Sequence, residues 1–133
     1  MTMNTPLQSI EAGAYHDALA QGQLLLQTCA QCSSVRHPPS PMCPVCQSVR
    51  VRWQACAGAG IVHSAVTIHH TSLPGYRQRT PYTVLTVTLD EQVRILAPLA
   101  FDVQTVPAIG TRVALTFLPQ ADGSTLATFR ASA

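Results

Sequence analysis

Four of the five cysteines fall in two pairs of identical spacing, Cys29-Ala30-Gln31-Cys32 and Cys43-Pro44-Val45-Cys46, separated by residues 33–42. Two intervening residues let both thiolates of a pair turn back onto one ion at about 2.3 Å, and two such knuckles close a tetrahedron of sulfur. The expected ion is a single zinc; an iron site of the same shape, a redox pair or two disulfides are the alternatives. Four sulfur ligands leave no position for water or substrate, so the metal is expected to be structural rather than catalytic. The residue after each knuckle sits where the backbone favours a positive φ. Here it is Ser33 and Gln47 rather than glycine, and both can adopt that conformation at modest cost.

Little else in the chain has the spacing of a reactive centre. Cys56, in a stretch of small residues, reads as a buried, inert thiol, because nothing near it marks a positioned base. None of the histidines, His16, His37, His63, His69 and His70, has catalytic spacing. His69 and His70 point to opposite faces of an expected strand, and His63 and His69 share a face but lie too far apart to hold one ion. No Gly-x-Ser-x-Gly, phosphate loop or paired-carboxylate arrangement occurs, so no catalytic residue is assigned. The loop Leu73 to Tyr82 concentrates Tyr76, Arg77, Arg79 and Tyr82 among turn formers. It can meet the phosphates of a nucleotide-like group such as coenzyme A, or an acidic patch on a partner; a solvated turn is the plain alternative.

The elements that must position these residues change character along the chain. From Pro6 to Gly22, Leu7, Ile10, Ala14, Ala18 and Leu19 recur at helical steps, and Gly22 is a natural stop. From Gln23 to Trp53 a short strand, Leu24 to Thr28, leads into the knuckles, a proline-rich loop and Val49 to Trp53. That segment has too few apolar residues for a core of its own, so a metal must substitute for one. Beyond Cys56, period-two alternation predicts strands over Gly60–His70, with Val62, Val66 and Ile68 on one face, and over Tyr82–Leu89. Further strands follow at Val93–Leu96, Arg112–Leu118 and Thr125–Arg130, with Phe117 and Phe129 facing inward. Asp90-Glu91-Gln92 makes a tight hairpin connection, and Pro98 to Ile109 is less regular, a short helix or crossing loop. The expected fold is mainly β: an N-terminal helical segment (1–22), a rubredoxin-like zinc ribbon (23–55) and a five-stranded Greek-key barrel of the OB type (56–133). An open five-stranded sheet is the rival for the last part.

Composition narrows the function classes. Hydrophobic residues make up 47% and charged residues 11% of 133 positions, which is poor in charge for a freely exposed surface and points to a partner covering part of it. The chain has no lysine. Its eight arginines are scattered and the net charge is +2, which counts against a nonspecific nucleic-acid binder. No apolar run approaches the roughly 20 residues needed to cross a bilayer, and the first residues lack the layout of a secretion signal. With paired cysteines suited to metal in a reducing compartment, a cytoplasmic location is expected and no membrane contact.

The order of features also resembles a known family. It runs from Tyr15-His16-Asp17-Ala18-Leu19 and Gly22-Gln23-Leu24, through the knuckles around Pro38-Pro39, to Trp53 and Gly58-Ala59-Gly60-Ile61-Val62-His63-Ser64. Pro81-Tyr82, Val87-Thr88-Leu89-Asp90-Glu91, Ile109-Gly110 and Phe129-Arg130 follow. Over about residues 12 to 131 the chain resembles the zinc-ribbon OB-fold family of acyl-CoA-associated proteins, long labelled a domain of unknown function. The resemblance implies a noncatalytic accessory subunit in a hetero-oligomer with a thiolase-like, acyltransferase or aldolase catalytic subunit, sometimes with a hydratase. Such pairs carry out thiolytic or retro-aldol cleavage, condensation or acyl transfer. The subunit would stabilise its partner and help shape an acyl-CoA channel, with a coenzyme A thioester as a shared ligand. The family's zinc ligands carry over onto Cys29, Cys32, Cys43 and Cys46. Two departures stand out: Ser40 replaces the arginine that often follows the double proline, and Gln92 replaces a turn glycine.

Two other classes remain. A single-stranded nucleic-acid-binding zinc-ribbon/OB module would need aromatic stacking platforms, yet the chain has one Trp, three Tyr and three Phe. A stand-alone acyl-CoA hydrolase or transferase would need catalytic groups, with His63 and Cys56 the first to try.

Overall fold

The computed structural model describes residues 10–132. A single 3-10 turn, Ile10–Ala12, leads into α1, Gly13–Ala20. The expected helix is therefore shorter, and Pro6 to Ser9, Leu7 included, lie outside the described residues. Gly22, at φ 75°, stops it as anticipated, while the Gly22 and Gln23 N–H groups return to the Leu19 and Ala18 carbonyls at 3.0 and 2.9 Å. Helix α1 packs on β1 and β8 and buries Ala18 and Leu19.

Three strands make the ribbon sheet: β1 (Leu24–Cys29), β2 (Val35–Arg36) and β3 (Val51–Cys56), in the order β2-β1-β3, all antiparallel. The third starts two residues later than its alternation suggests and runs on to Cys56. Five more strands follow: β4 (Ala59–Ile68), β5 (Tyr82–Leu89), β6 (Arg94–Pro98), β7 (Arg112–Pro119) and β8 (Thr125–Ala131), in the order β6-β5-β4-β7-β8. A parallel bridge between Leu99 and Phe129, and the Ala100 N–H donating to the Phe129 carbonyl at 2.9 Å, draw the outer strands together. The sheet is thus a nearly closed OB-like barrel rather than an open one. Between Pro98 and Ile109 the chain forms turns and a crossing loop, without a helix.

Alternation fixes the interior. Thr83, Leu85, Val87 and Leu89 of β5 are buried, with Ile95, Val113 and a fully buried Phe129 facing them. The ribbon is less self-contained than its composition suggests, because Leu24 and Leu26, together with Leu19, belong to this same apolar cluster. Gly58 and Gly60 are needed where β4 begins. Gly58 has φ 77° and a Cβ there would stand 2.7 Å from the Leu115 Cβ; one at Gly60 would stand 2.8 Å from the Leu89 Cα.

One expectation about faces is corrected. The β4–β5 register runs Val62 to Val87 and then Ser64 to Thr86, so His63 is an extra residue in a β-bulge. The bulge exchanges the faces of the outer half of β4: Ala65 and Thr67 align with the inward Leu85 and Thr83, and Val66 turns out, 58% exposed. Strand β4 ends at Ile68, so His69 and His70 lie beyond it and do not alternate across a sheet.

Candidate metal centre and the aromatic loop

Each knuckle is a short loop closed by the same pattern of hydrogen bonds. Cys29 N–H donates to Ser34 O and Ser33 N–H to Cys29 O; Cys43 N–H donates to Ser48 O and Gln47 N–H to Cys43 O, all at 2.9–3.0 Å. Ser33 and Gln47 take φ 67° and 66°, the left-handed conformation anticipated for them. Strand β1 delivers Cys29 at its last residue, and the loop after Ser40 delivers Cys43. The four sulfurs lie within 4.8 Å of one another, with Cys29 to Cys46 at 3.5 Å and Cys32 to Cys43 at 3.6 Å. Sulfurs bound tetrahedrally to zinc at ~2.3 Å stand roughly 3.8 Å apart, so the cage fits such an ion with little adjustment.

The surroundings favour thiolate. Backbone N–H groups of Gln31 and Cys32 donate to Cys29 Sγ and that of Val45 to Cys43 Sγ, at 3.3–3.4 Å. The Ser34 hydroxyl stands 3.2 Å from both Cys32 and Cys43 Sγ. That hydroxyl, with the Cys46 and Val45 N–H groups, lowers the Cys43 thiol to about 5, and the Cys32 N–H chiefly lowers Cys29. The Ser48 N–H pulls Cys46 down as well, but burial and the three neighbouring sulfurs outweigh it and hold that thiol up at about 11. The hydrogen bonds thus favour the thiolate form at Cys43 and Cys29, the form in which a cysteine sulfur would bind a metal ion. Ser34 was invisible to spacing rules; its repetition as Ser48 after the other knuckle is the signal that could have found it.

Ser40, where the sequence departs from the family pattern, ties the proline loop to the ribbon. Its N–H donates to Gln27 Oε1 at 2.8 Å, its hydroxyl and carbonyl accept from buried Arg36 at 3.0 and 3.2 Å, and its hydroxyl donates to Met42 O. Cys56, at the end of β3, is half-buried rather than buried as expected; desolvation and Glu91 push its thiol up to about 11. His16 and His37 both pack on the Tyr15 ring, at 5.2 and 5.1 Å between centroids, and join α1 to the ribbon. Burial lowers both imidazoles.

The loop before β5 is partly internal. The Arg79 guanidinium stacks 4.4 Å from the Phe101 ring centroid and 5.2 Å from that of Tyr76, and donates to Gln120 Oε1 at 3.3 Å. Tyr82 packs on Tyr76 and Phe101. Of the four residues picked from this loop, Tyr76, Arg79 and Tyr82 come together, while Arg77 lies exposed on the 3-10 turn Arg77–Arg79. Phe101 and Gln120 were missed because they arrive from elements far along the chain. Beside this cluster a cavity of about 280 Å³ opens between Thr67, Thr83 and the 99–106 loop.

Comparison with known proteins agrees with this geometry. Residues 16–51 match the family described as the ChsH2 rubredoxin-like zinc ribbon domain, and residues 53–118 the ChsH2 C-terminal OB-fold domain. A chain of the Ltp2–ChsH2(DUF35) aldolase superimposes with a TM-score of 0.85 at 33% identity, over 97% of this chain and 100% of that one. The chain belongs to the ChsH2/DUF35 family. A DUF35 protein of Sulfolobus solfataricus shares the fold at 12% identity, with a TM-score of 0.58 over 81% of this chain and 78% of that one. Two curated relatives are a probable enoyl-CoA hydratase alpha subunit of Thermomonospora curvata (35% identical over 87% of this chain) and the 3-oxo-4,17-pregnadiene-20-carboxyl-CoA hydratase alpha subunit of Mycobacterium tuberculosis (31% over 92%). This DUF35 chain spans only 36% and 38% of their lengths. No helix among the described residues is long and apolar enough to cross a membrane.

Proposed function

We propose that this chain is a noncatalytic accessory subunit of an acyl-CoA-processing enzyme and that its catalytic partner has a thiolase fold, acting as a retro-aldolase, thiolase or acyltransferase. The observation that carries this reading is the end-to-end superposition on a chain of the Ltp2–ChsH2(DUF35) aldolase. The names of the two hydratase relatives add acyl-CoA as the substrate class. In this reading residues 23–55, braced by one structural zinc on Cys29, Cys32, Cys43 and Cys46, form a rigid platform and residues 56–133 form the barrel. Together they stabilise the partner and complete the wall of its acyl-CoA channel. In the same reading Arg77, exposed beside the Tyr76–Tyr82 cluster, is the side chain offered to a phosphate of the thioester.

The test is co-expression with an Ltp2-type aldolase encoded in the same genome, followed by size-exclusion chromatography and an assay of β-hydroxyacyl-CoA cleavage. A stable hetero-oligomer is expected, with cleavage needing both chains. Separate elution, combined with salt-sensitive binding of single-stranded oligonucleotides by this chain alone, would replace the reading with the nucleic-acid module.

A further inference from the structure

Among the described residues the barrel closes at one place, where the chain leaving β6 is tied to β8 by the Leu99–Phe129 bridge and the Ala100 hydrogen bond. No other backbone pair joins β6 to β8, so the rest of the two edges run unpaired, and α1, which packs on β8, lies beside them. A cavity of about 160 Å³ remains at this seam, walled by Leu19 of α1, Leu96 and Ala97 of β6, and Leu126 and Ala127 of β8. Close-packed interiors seldom keep a space of that size. An apolar cavity of about 150 Å³ takes up benzene, so the seam has room for one six-membered ring.

The polar groups of the wall select what fits. Gln120 lines the cavity from the connection between β7 and β8, and its Oε1 accepts from Arg79 at 3.3 Å. A guanidinium can only donate, so this contact fixes which end of the amide is oxygen and leaves the nitrogen as the other end. That Nε2 is buried and finds no hydrogen-bond partner among the described residues, a costly state for a donor. No Asp, Glu, Lys or Arg lines the cavity. Burial holds the Tyr15 phenol up at about 12, raises that of Tyr76, and lowers the His16 imidazole against the opposing pull of Asp17, so the wall carries no charge at neutral pH. A molecule that fits is neutral, mostly hydrocarbon, and brings one acceptor. A carbonyl oxygen supplies that acceptor without a further donor that would itself need a partner. We propose that the β6–β8 seam binds a small neutral ketone of one ring, its oxygen accepting from Gln120 Nε2 and its hydrocarbon body lying between α1 and the two strands. The site belongs to this chain alone and needs no catalytic partner.

The test titrates the full chain, loaded with zinc, with cyclohexanone and follows the backbone amides by NMR. Saturable shifts are expected over residues 96–98 and 124–127, with a Kd of roughly 1 mM for a ligand of this size. Because α1 forms one wall, hydrogen exchange of residues 13–20 should also slow at saturation. Cyclohexanecarboxylate and cyclohexylammonium, similar in shape but charged, should not compete. Gln120→Glu keeps an oxygen for Arg79 and removes only the donor; it should weaken cyclohexanone at least about tenfold. Ala97→Leu fills the space and should abolish binding; if that variant does not fold, Gln120→Glu decides. Each folded variant should keep one zinc and the melting temperature of the unsubstituted chain to within a few degrees. The proposal is overturned if no saturable shift appears up to the solubility of the ketone, or if the shifts centre on Thr67 and Thr83 instead. Equal binding of the charged analogues, or of cyclohexanone by Gln120→Glu, overturns it as well. None of these results touches the accessory-subunit reading, which stands or falls on co-elution with the aldolase.

Discussion

The ribbon and the barrel solve the same problem, fixing a small antiparallel sheet, with different materials. The barrel's five strands enclose Leu85, Val87, Leu89, Ile95, Val113 and Phe129, and removal of apolar surface from water holds them. The ribbon's three strands have Leu24 and Leu26 to contribute and little else, so four sulfurs close the far end. The barrel will therefore answer to cavities and backbone clashes, whereas the ribbon will answer to metal and thiolate chemistry.

The largest effect should come from taking the metal away. A chelator in excess, or Cys43→Ser, should release one zinc and strip hydrogen-exchange protection from residues 24–56 first. The lost binding is of the order of 10 kcal/mol at neutral pH, which exceeds the stability of an ordinary domain. Retention of that protection by a chain shown to be metal-free would overturn the contrast.

In the barrel, Phe129→Ala should cost about 3–5 kcal/mol in urea unfolding, because the ring is fully buried and its backbone also forms the bridge to Leu99. Gly60→Ala should cost roughly 1–3 kcal/mol through the clash of its methyl with the Thr88 carbonyl and the Leu89 backbone, without opening any cavity. The zinc content of both variants should stay at one per chain.

A third effect, smaller, lies at the junction of the two regions. Burial lowers His37, and then His16 beside it lowers it further, below the ordinary 6.5. Between the lowered value and 6.5 the unfolded chain binds more protons than the folded one, so stability falls as pH drops through that window and levels off below it. His37→Gln should flatten that part of the pH profile, as read by thermal unfolding between pH 5 and pH 8. The smallest effect concerns the hairpin Asp90-Glu91-Gln92, where Gln92 sits at φ 67°. Gln92→Gly should stabilise by about 1 kcal/mol, and an unchanged melting temperature would show that the turn carries no strain.

The metal site was almost wholly legible, because two short spacings determine where four sulfurs can go once a common ion is assumed. The barrel strands were legible wherever one face alternates strictly, as Leu85, Val87 and Leu89 do. The outer half of β4 was misread because a single extra residue, His63, swaps the faces without leaving any mark in composition. The Arg79 stack was only half visible: Tyr76 and Tyr82 are local, but Phe101 and Gln120 reach it through tertiary folding. The cluster of Tyr15, His16 and His37 was missed for the same reason, since α1 meets the proline loop only after the ribbon has folded.

Strand β1 has one further property. Its last residue is a cage sulfur and its alternate earlier residues, Leu24 and Leu26, reach the barrel interior. A slip of one position would pull Cys29 out of reach of the other sulfurs and, in the same movement, turn Leu25 and Gln27 toward the oily side. Two unrelated chemistries thus proofread one alignment, and a misthreaded ribbon has neither ion nor core to settle into.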